Sequence, residues 1–246
     1  METNNSAARL YDILSTARSQ FDPKQREVKI IQVWASVLNV GTEDTVERLH
    51  FVAHLLALLR QAKLDVQALP GVNTQIYLKP FSKLERAFSS MNLDASWNNF
   101  TSHLDDATMV ALEFCADTLS NNRPEPIIDA ETLKSLQADV ESLIEKITLS
   151  DLLPETKLLF LKNLENIRLA ILEYRINGSV GLSQSLDLSL GSILRNKDKI
   201  DQVGDQEIFP AFFRIMFKIN QLVTYANNAK QLLEPIVKHF LPHALH

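Results

Sequence analysis

The stretch that decides the fold is Asp151–Asn196, DLLPETKLLFLKNLENIRLAILEYRINGSVGLSQSLDLSLGSILRN. A helical residue advances about 100° around the axis, and over Glu155–Ile176 this sorts the apolar residues into two faces. Phe160, Leu164, Ile167, Ile171 and Tyr174 share one, and Leu158, Leu161, Leu169, Leu172 and Ile176 share the other. Narrow polar seams run between them, one with Glu155, Lys162, Asn166 and Glu173 and one with Lys157, Arg168 and Arg175. A helix apolar on two sides is expected to be sandwiched between neighbours. The reading is a central helix near 155–176, joined at Gly178 to a second buried helix.

That second helix, Ser179–Arg195, carries a stripe of small residues. Gly181, Ser185, Ser189 and Ser192 fall within about 80° of one another, with Leu182, Leu186, Leu190 and Ile193 on the adjoining arc. Small side chains let another backbone come close, and a buried serine can bond back to its own helix. The stripe therefore reads either as tight internal packing or, more sharply, as a partner-binding surface formed by those four residues.

Working outward, the flanking segments supply amphipathic partners. Ser6–Ser19 groups Leu10, Ile13, Leu14 and Ala17 on one face. A helix after Asp22-Pro23 should bury Ile30, Val33, Trp34, Val37 and Leu38. A long one after Gly41-Thr42 should run to Pro70-Gly71 and cross the core. The aromatic stretch Val72–Phe100 predicts a helix near 74–89, bent or restarted at Pro80, and a short one near 94–103. Its Trp97 is a core residue on one reading and part of a partner-binding groove lip on the other. Asp105/Asp106 and Asp129 head two further helices. Between these, SNNRPEPIID (Ser120–Asp129) is the best linker, which divides the chain into 1–122 and 123–246, expected to pack together. NKDKIDQVGDQ (196–206) reads as a polar connection open to motion, and Ile208–Tyr225 as a core helix or a covered interface. The sum is an all-α, multi-helix bundle of about nine to eleven helices.

Composition narrows the function. The net charge is -5, with no cluster of Lys and Arg large enough for an extended nucleic-acid footprint, although local RNA contact stays open. Cys115 is the only cysteine, which excludes an intramolecular disulfide and a thiolate cluster and points to a reducing, cytoplasmic setting. No stretch approaches the roughly 20 apolar residues of a membrane span. No cofactor is expected, since neither GxGxxG nor GxxxxGK[ST] occurs.

Three constellations could carry chemistry. Glu47, His50 and His54 are spaced to share a helical face and make a weak metal-ligand set, without the second Glu-x-x-His that a di-metal site needs. His239, His243 and His246 read as tail composition. Arg48-x5-His54 resembles the motif of HEPN-type ribonucleases, which are all-helical; Leu49 stands where that family usually has a polar residue. The resemblance covers seven residues. It implies that Arg48 contacts phosphate and His54 assists attack by the RNA 2′-hydroxyl. Separately, Leu164-x2-Ile167-x2-Ala170-Ile171-x2-Tyr174-Arg175-Ile176-x-Gly178, with Gly181-Leu182 following, resembles a segment of uncharacterised helical proteins from bacterial accessory genomes. That resemblance implies a bacterial source and a role near defence or toxin neutralisation. The leading expectation is a non-catalytic helical module that binds or regulates another protein, or itself. The second is a metal-independent HEPN-like ribonuclease, and the third a small-ligand sensor.

Overall fold

The fold comes from a computed structural model, which describes residues 4–20, 28–38, 45–71, 73–197, 200 and 207–224. It is all-α: the described residues form no strand, only an isolated bridge between Lys29 and Ser96. The chain divides into two compact units, Met1–Glu125 and Pro126–His246, with the boundary inside the Pro-Glu-Pro linker. Among the described residues, no helix is long and apolar enough to cross a membrane.

The first unit contains α1 (Ser6–Gln20), α2 (Ile30–Leu38), α3 (Thr45–Gln67), α4 (Thr74–Tyr77), α5 (Lys79–Ser89), α6 (Trp97–Thr101) and α7 (Asp106–Asn122). Its centre is α1, which packs on α2, α3 and α7 and fully buries Ala7, Leu10, Ile13, Leu14 and Ala17. The chain start is fastened to α7. Asn5 accepts from the Ala8 amide (3.0 Å) while its Nδ2 donates to the Ala116 carbonyl (2.9 Å) and Ser120 Oγ (2.7 Å). One side chain thus caps α1 and docks it on α7. Pro80 begins α5 at a first-turn position, where its missing N–H costs nothing.

A second anchor joins residues far apart in sequence. The amides of Ile30, Ile31 and Trp97 donate to the carbonyls of Ala95, Leu93 and Val28, at 3.0, 3.0 and 2.8 Å. This fastening brings Trp34 onto Trp97 (ring centroids 5.4 Å, edge-on) and Phe100 (5.3 Å), with Phe88 stacked on it at 6.1 Å. Each such pair adds about 0.5–1.5 kcal/mol beyond its burial. Helix α3 departs from expectation. It buries Leu55, Leu58, Leu59, Ala62 and Val66 but leaves Leu49, Leu56 and Leu64 exposed, so it lies on one side of the core and does not cross it.

The described residues of the second unit form a ring of α8 (Ala130–Leu149), α9 (Pro154–Leu172), α10 (Tyr174–Arg195) and α11 (Ile208–Val223). Each helix packs on its neighbours in chain order, and the ring closes between α11 and α8. Asp129 caps α8 by accepting from the Thr132 amide at 2.8 Å, and Pro154 opens α9. The core is aliphatic with a phenylalanine centre, where Phe160 meets Phe209 at 5.1 Å and Phe212 at 5.0 Å. Ile208–Val223 is therefore a core helix. Lys218 Nζ ties α11 to α8 through Ser135 Oγ (3.0 Å) and Asp139 Oδ2 (2.8 Å).

The junction inside 151–196 differs from the sequence reading. The first helix stops at Glu173, and Tyr174–Asn177 form one more turn before Gly178 breaks direction with φ 60° and ψ -156°. That conformation is essentially restricted to glycine. The extra turn explains Ile176: assigned to the outer face of a straight helix, it is buried because the axis has already changed. The connection at 196–206, apart from residues 196, 197 and 200, and the histidines at 239, 243 and 246 lie outside the described residues.

Candidate interaction surface

Helix α9 has an inner and an outer face. The inner arc carries Phe160, Asn163, Leu164, Ile167 and Ile171, all buried in the ring. The second apolar face, expected to lie against a neighbour, keeps three of its leucines at the surface, while Leu161 packs against the core. Leu158 is 63% exposed, Leu169 39% and Leu172 52%, and Leu161 is half-buried. With Glu165 they span about 80° at 100° per residue, and the arc sits opposite the buried one. The sequence identified this face correctly and misjudged its cover. Among the described residues, α9 packs on α8 and α10 and on the core, and Leu158, Leu169 and Leu172 stay exposed.

The centre of the arc is polar. Arg168 Nε and Nη2 donate to Glu165 Oε2 and Oε1 at 2.8 and 2.7 Å, a two-pronged fork. Those bonds hold the Glu165 carboxyl below the usual carboxylate range and push the Arg168 guanidinium up. Lys157, also in the basic seam, donates to the Thr148 carbonyl at 3.2 Å, at the end of α8.

The small-residue stripe is corrected. Ser185 and Ser189 are buried and Gly181 and Ser192 partly so, facing the interior of the unit. Ser192 Oγ accepts from Asn163 Nδ2 on α9 at 3.1 Å, and Ser185 Oγ donates back to the Leu182 carbonyl at 2.8 Å. Ser189 Oγ is fully buried with no hydrogen-bond partner. The small side chains serve the α9–α10 approach, and no partner can reach Ser185 or Ser189 in this fold. Trp97 is corrected for the same reason: it is buried in the aromatic cluster with Trp34 and Phe100, not at a groove lip.

The metal and ribonuclease candidates all lie on α3. His50 is exposed and His54 half-buried on α3, with ring centroids 4.2 Å apart, as four-residue spacing on a helix dictates. Glu47 and Arg48 lie one turn earlier on the same helix, with side chains outside the described set. Cys115 is buried, its Sγ 3.4 Å from the Tyr77 carbonyl, and burial pushes the thiol up to about 12, the opposite of what a nucleophile needs. Two depressions among the described residues are open grooves. One of about 310 Å³ lies between α8 and α11, beside Asp139, Lys146, Arg214 and Lys218. The other, of about 610 Å³, lies between α3 and α5, beside Leu56, Arg60, Lys63 and Glu85. Neither encloses a small ligand as a sensor pocket would.

The sequence reading missed Arg9, which is buried and ion-paired with Glu125 at 2.7 Å. Its only sequence signal is an arginine inside the apolar first turns of α1. No family model, curated protein or solved structure matches the chain.

Proposed function

We propose that this chain is a non-catalytic helical interaction module that engages a protein partner through the outer face of α9. The observation that carries the reading is the exposure of Leu158, Leu169 and Leu172 along one arc of a helix whose other side is fully packed. Fully burying a leucine is favourable by about 1.5–3 kcal/mol, so a row of them held outward on a rigid scaffold suits a docking role. The arc has a bidentate ion pair at its middle, the mixture of apolar anchors and one satisfied polar element common at interfaces. A cytoplasmic setting fits the single, buried free thiol, and the outcome of docking in this reading is regulation or neutralisation of the partner.

Position-specific photo-crosslinking tests this. A photoreactive residue at Leu158 or Leu172, expressed in source cells, should give one dominant protein adduct that is absent when it is placed at Asn166, which is exposed but off the arc. The adduct should also disappear when Leu169→Glu is added. Equal labelling from all three positions would overturn the reading.

A further inference from the structure

We propose that the partner on this face is a second copy of the chain, with α9 pairing antiparallel to its counterpart about a two-fold axis beside Glu165; this rests on the docking reading above. The argument begins with spacing. Leu158 and Leu172 lie seven residues to either side of Glu165, and Leu161 and Leu169 lie four to either side. The arc therefore reads the same from both ends. In an antiparallel two-fold pair, the residue n positions before the axis meets the residue n positions after it on the other copy. Leu158 then opposes Leu172 and Leu161 opposes Leu169, twice each, so every leucine on the arc meets a leucine. A self-pair uses this match directly, since each copy presents the same row.

The polar centre fits the same arrangement. Glu165 would meet its own copy at the axis, which for two bare carboxylates is repulsive. Each arrives already held in the fork of its own Arg168, at 2.7 and 2.8 Å, so the junction contains two carboxylates and two guanidiniums with no net charge. A buried polar element of this kind adds little affinity but selects register. Sliding one helix by a turn would set the ion pair against leucine, so the register centred on Glu165 is the one that matches polar with polar.

Helix α9 is about 28 Å long at 1.5 Å per residue, and one helix pair covers less than the roughly 1,600 Å² of a standard interface. The pair is therefore a small, reversible one.

Two measurements on the full chain decide the matter. Sedimentation velocity across a concentration series should show a reversible monomer–dimer equilibrium. Leu158→Glu with Leu172→Glu should stay monomeric at every concentration with an unchanged far-ultraviolet spectrum, since both side chains are exposed. Under mild oxidation, Glu165→Cys should crosslink to itself. Leu158→Cys and Leu172→Cys should crosslink only when mixed, because like positions lie about 21 Å apart along the pair. A wild-type chain that stays monomeric, or cysteines at 158 that pair with each other, would overturn self-pairing. A monomeric chain that still gives an arc-specific adduct to a different polypeptide would end this proposal alone and leave the docking reading standing.

Discussion

Arg9 Nη1 lies 2.7 Å from Glu125 Oε2, with side chains only 7% and 19% exposed, so the first helix grips the last residue of the first unit. The pair spans 116 positions of sequence. It fixes where the first unit ends, because the chain leaves for Pro126 from a residue held by α1. Removing one partner takes a charge-assisted bond from the other in a largely buried setting. Arg9→Ala should therefore destabilise the first unit by about 3–5 kcal/mol. Urea denaturation of the single and double variants measures this. Full additivity with Glu125→Ala would show that the pair is not coupled.

The two faces of α9 should respond oppositely to truncation. Leu164→Ala, on the buried arc, should cost about 2–5 kcal/mol. Leu158→Ala, on the outer arc, should stay within about 0.5 kcal/mol at concentrations where the chain is monomeric. Thermal melts of both variants read the contrast. Equal losses would mean that the outer arc is covered.

Gly178 should resist substitution. At φ 60° and ψ -156°, a side chain strains the backbone, and Gly178→Ala should cost about 1–3 kcal/mol. Chemical denaturation is the readout, with an unchanged midpoint as the contrary result. This junction also marks how far the sequence could be read. Glycine announced a break, but the earlier stop at Glu173 has no local signature, since Tyr174, Arg175 and Ile176 all suit a continuing helix. Packing around the ring placed the stop.

Acid should weaken the helix starts. Hydrogen bonds from the Thr132 amide and hydroxyl hold Asp129 below its ordinary range; at Asp105 the Lys83 ammonium does so first, then Thr108. A carboxyl whose pKa is lower in the folded state contributes stability that is fully present above its unfolded pKa and lost as the pH falls through the folded value. The melting temperature of the wild type should therefore fall more steeply than that of Asp129→Asn as the pH drops below about 4. Parallel curves would show that the cap does not titrate in this way.

Cys115 should react with a thiol reagent only on unfolding. Burial pushes its pKa up to about 12, leaving almost no thiolate near neutrality. Labelling kinetics with and without denaturant distinguish this from an accessible thiol, which would react at once in buffer.

The sequence by itself determined the helical class and most helix positions. The caps Asp105 and Asp129, the breakers Pro80 and Pro154, and a 3.6-residue apolar period act within a few residues of chain. It also grouped the two apolar faces of α9, because angular position follows from spacing alone. Only the tertiary structure decided which face is covered. Burial depends on which neighbours a helix meets, and among the described residues α9 packs on α8 and α10 and turns Phe160, Leu164, Ile167 and Ile171 inward. For the same reason the serine stripe and Trp97, which could have faced outward, are largely inside, and Leu158, Leu169 and Leu172, which could have been core, face solvent.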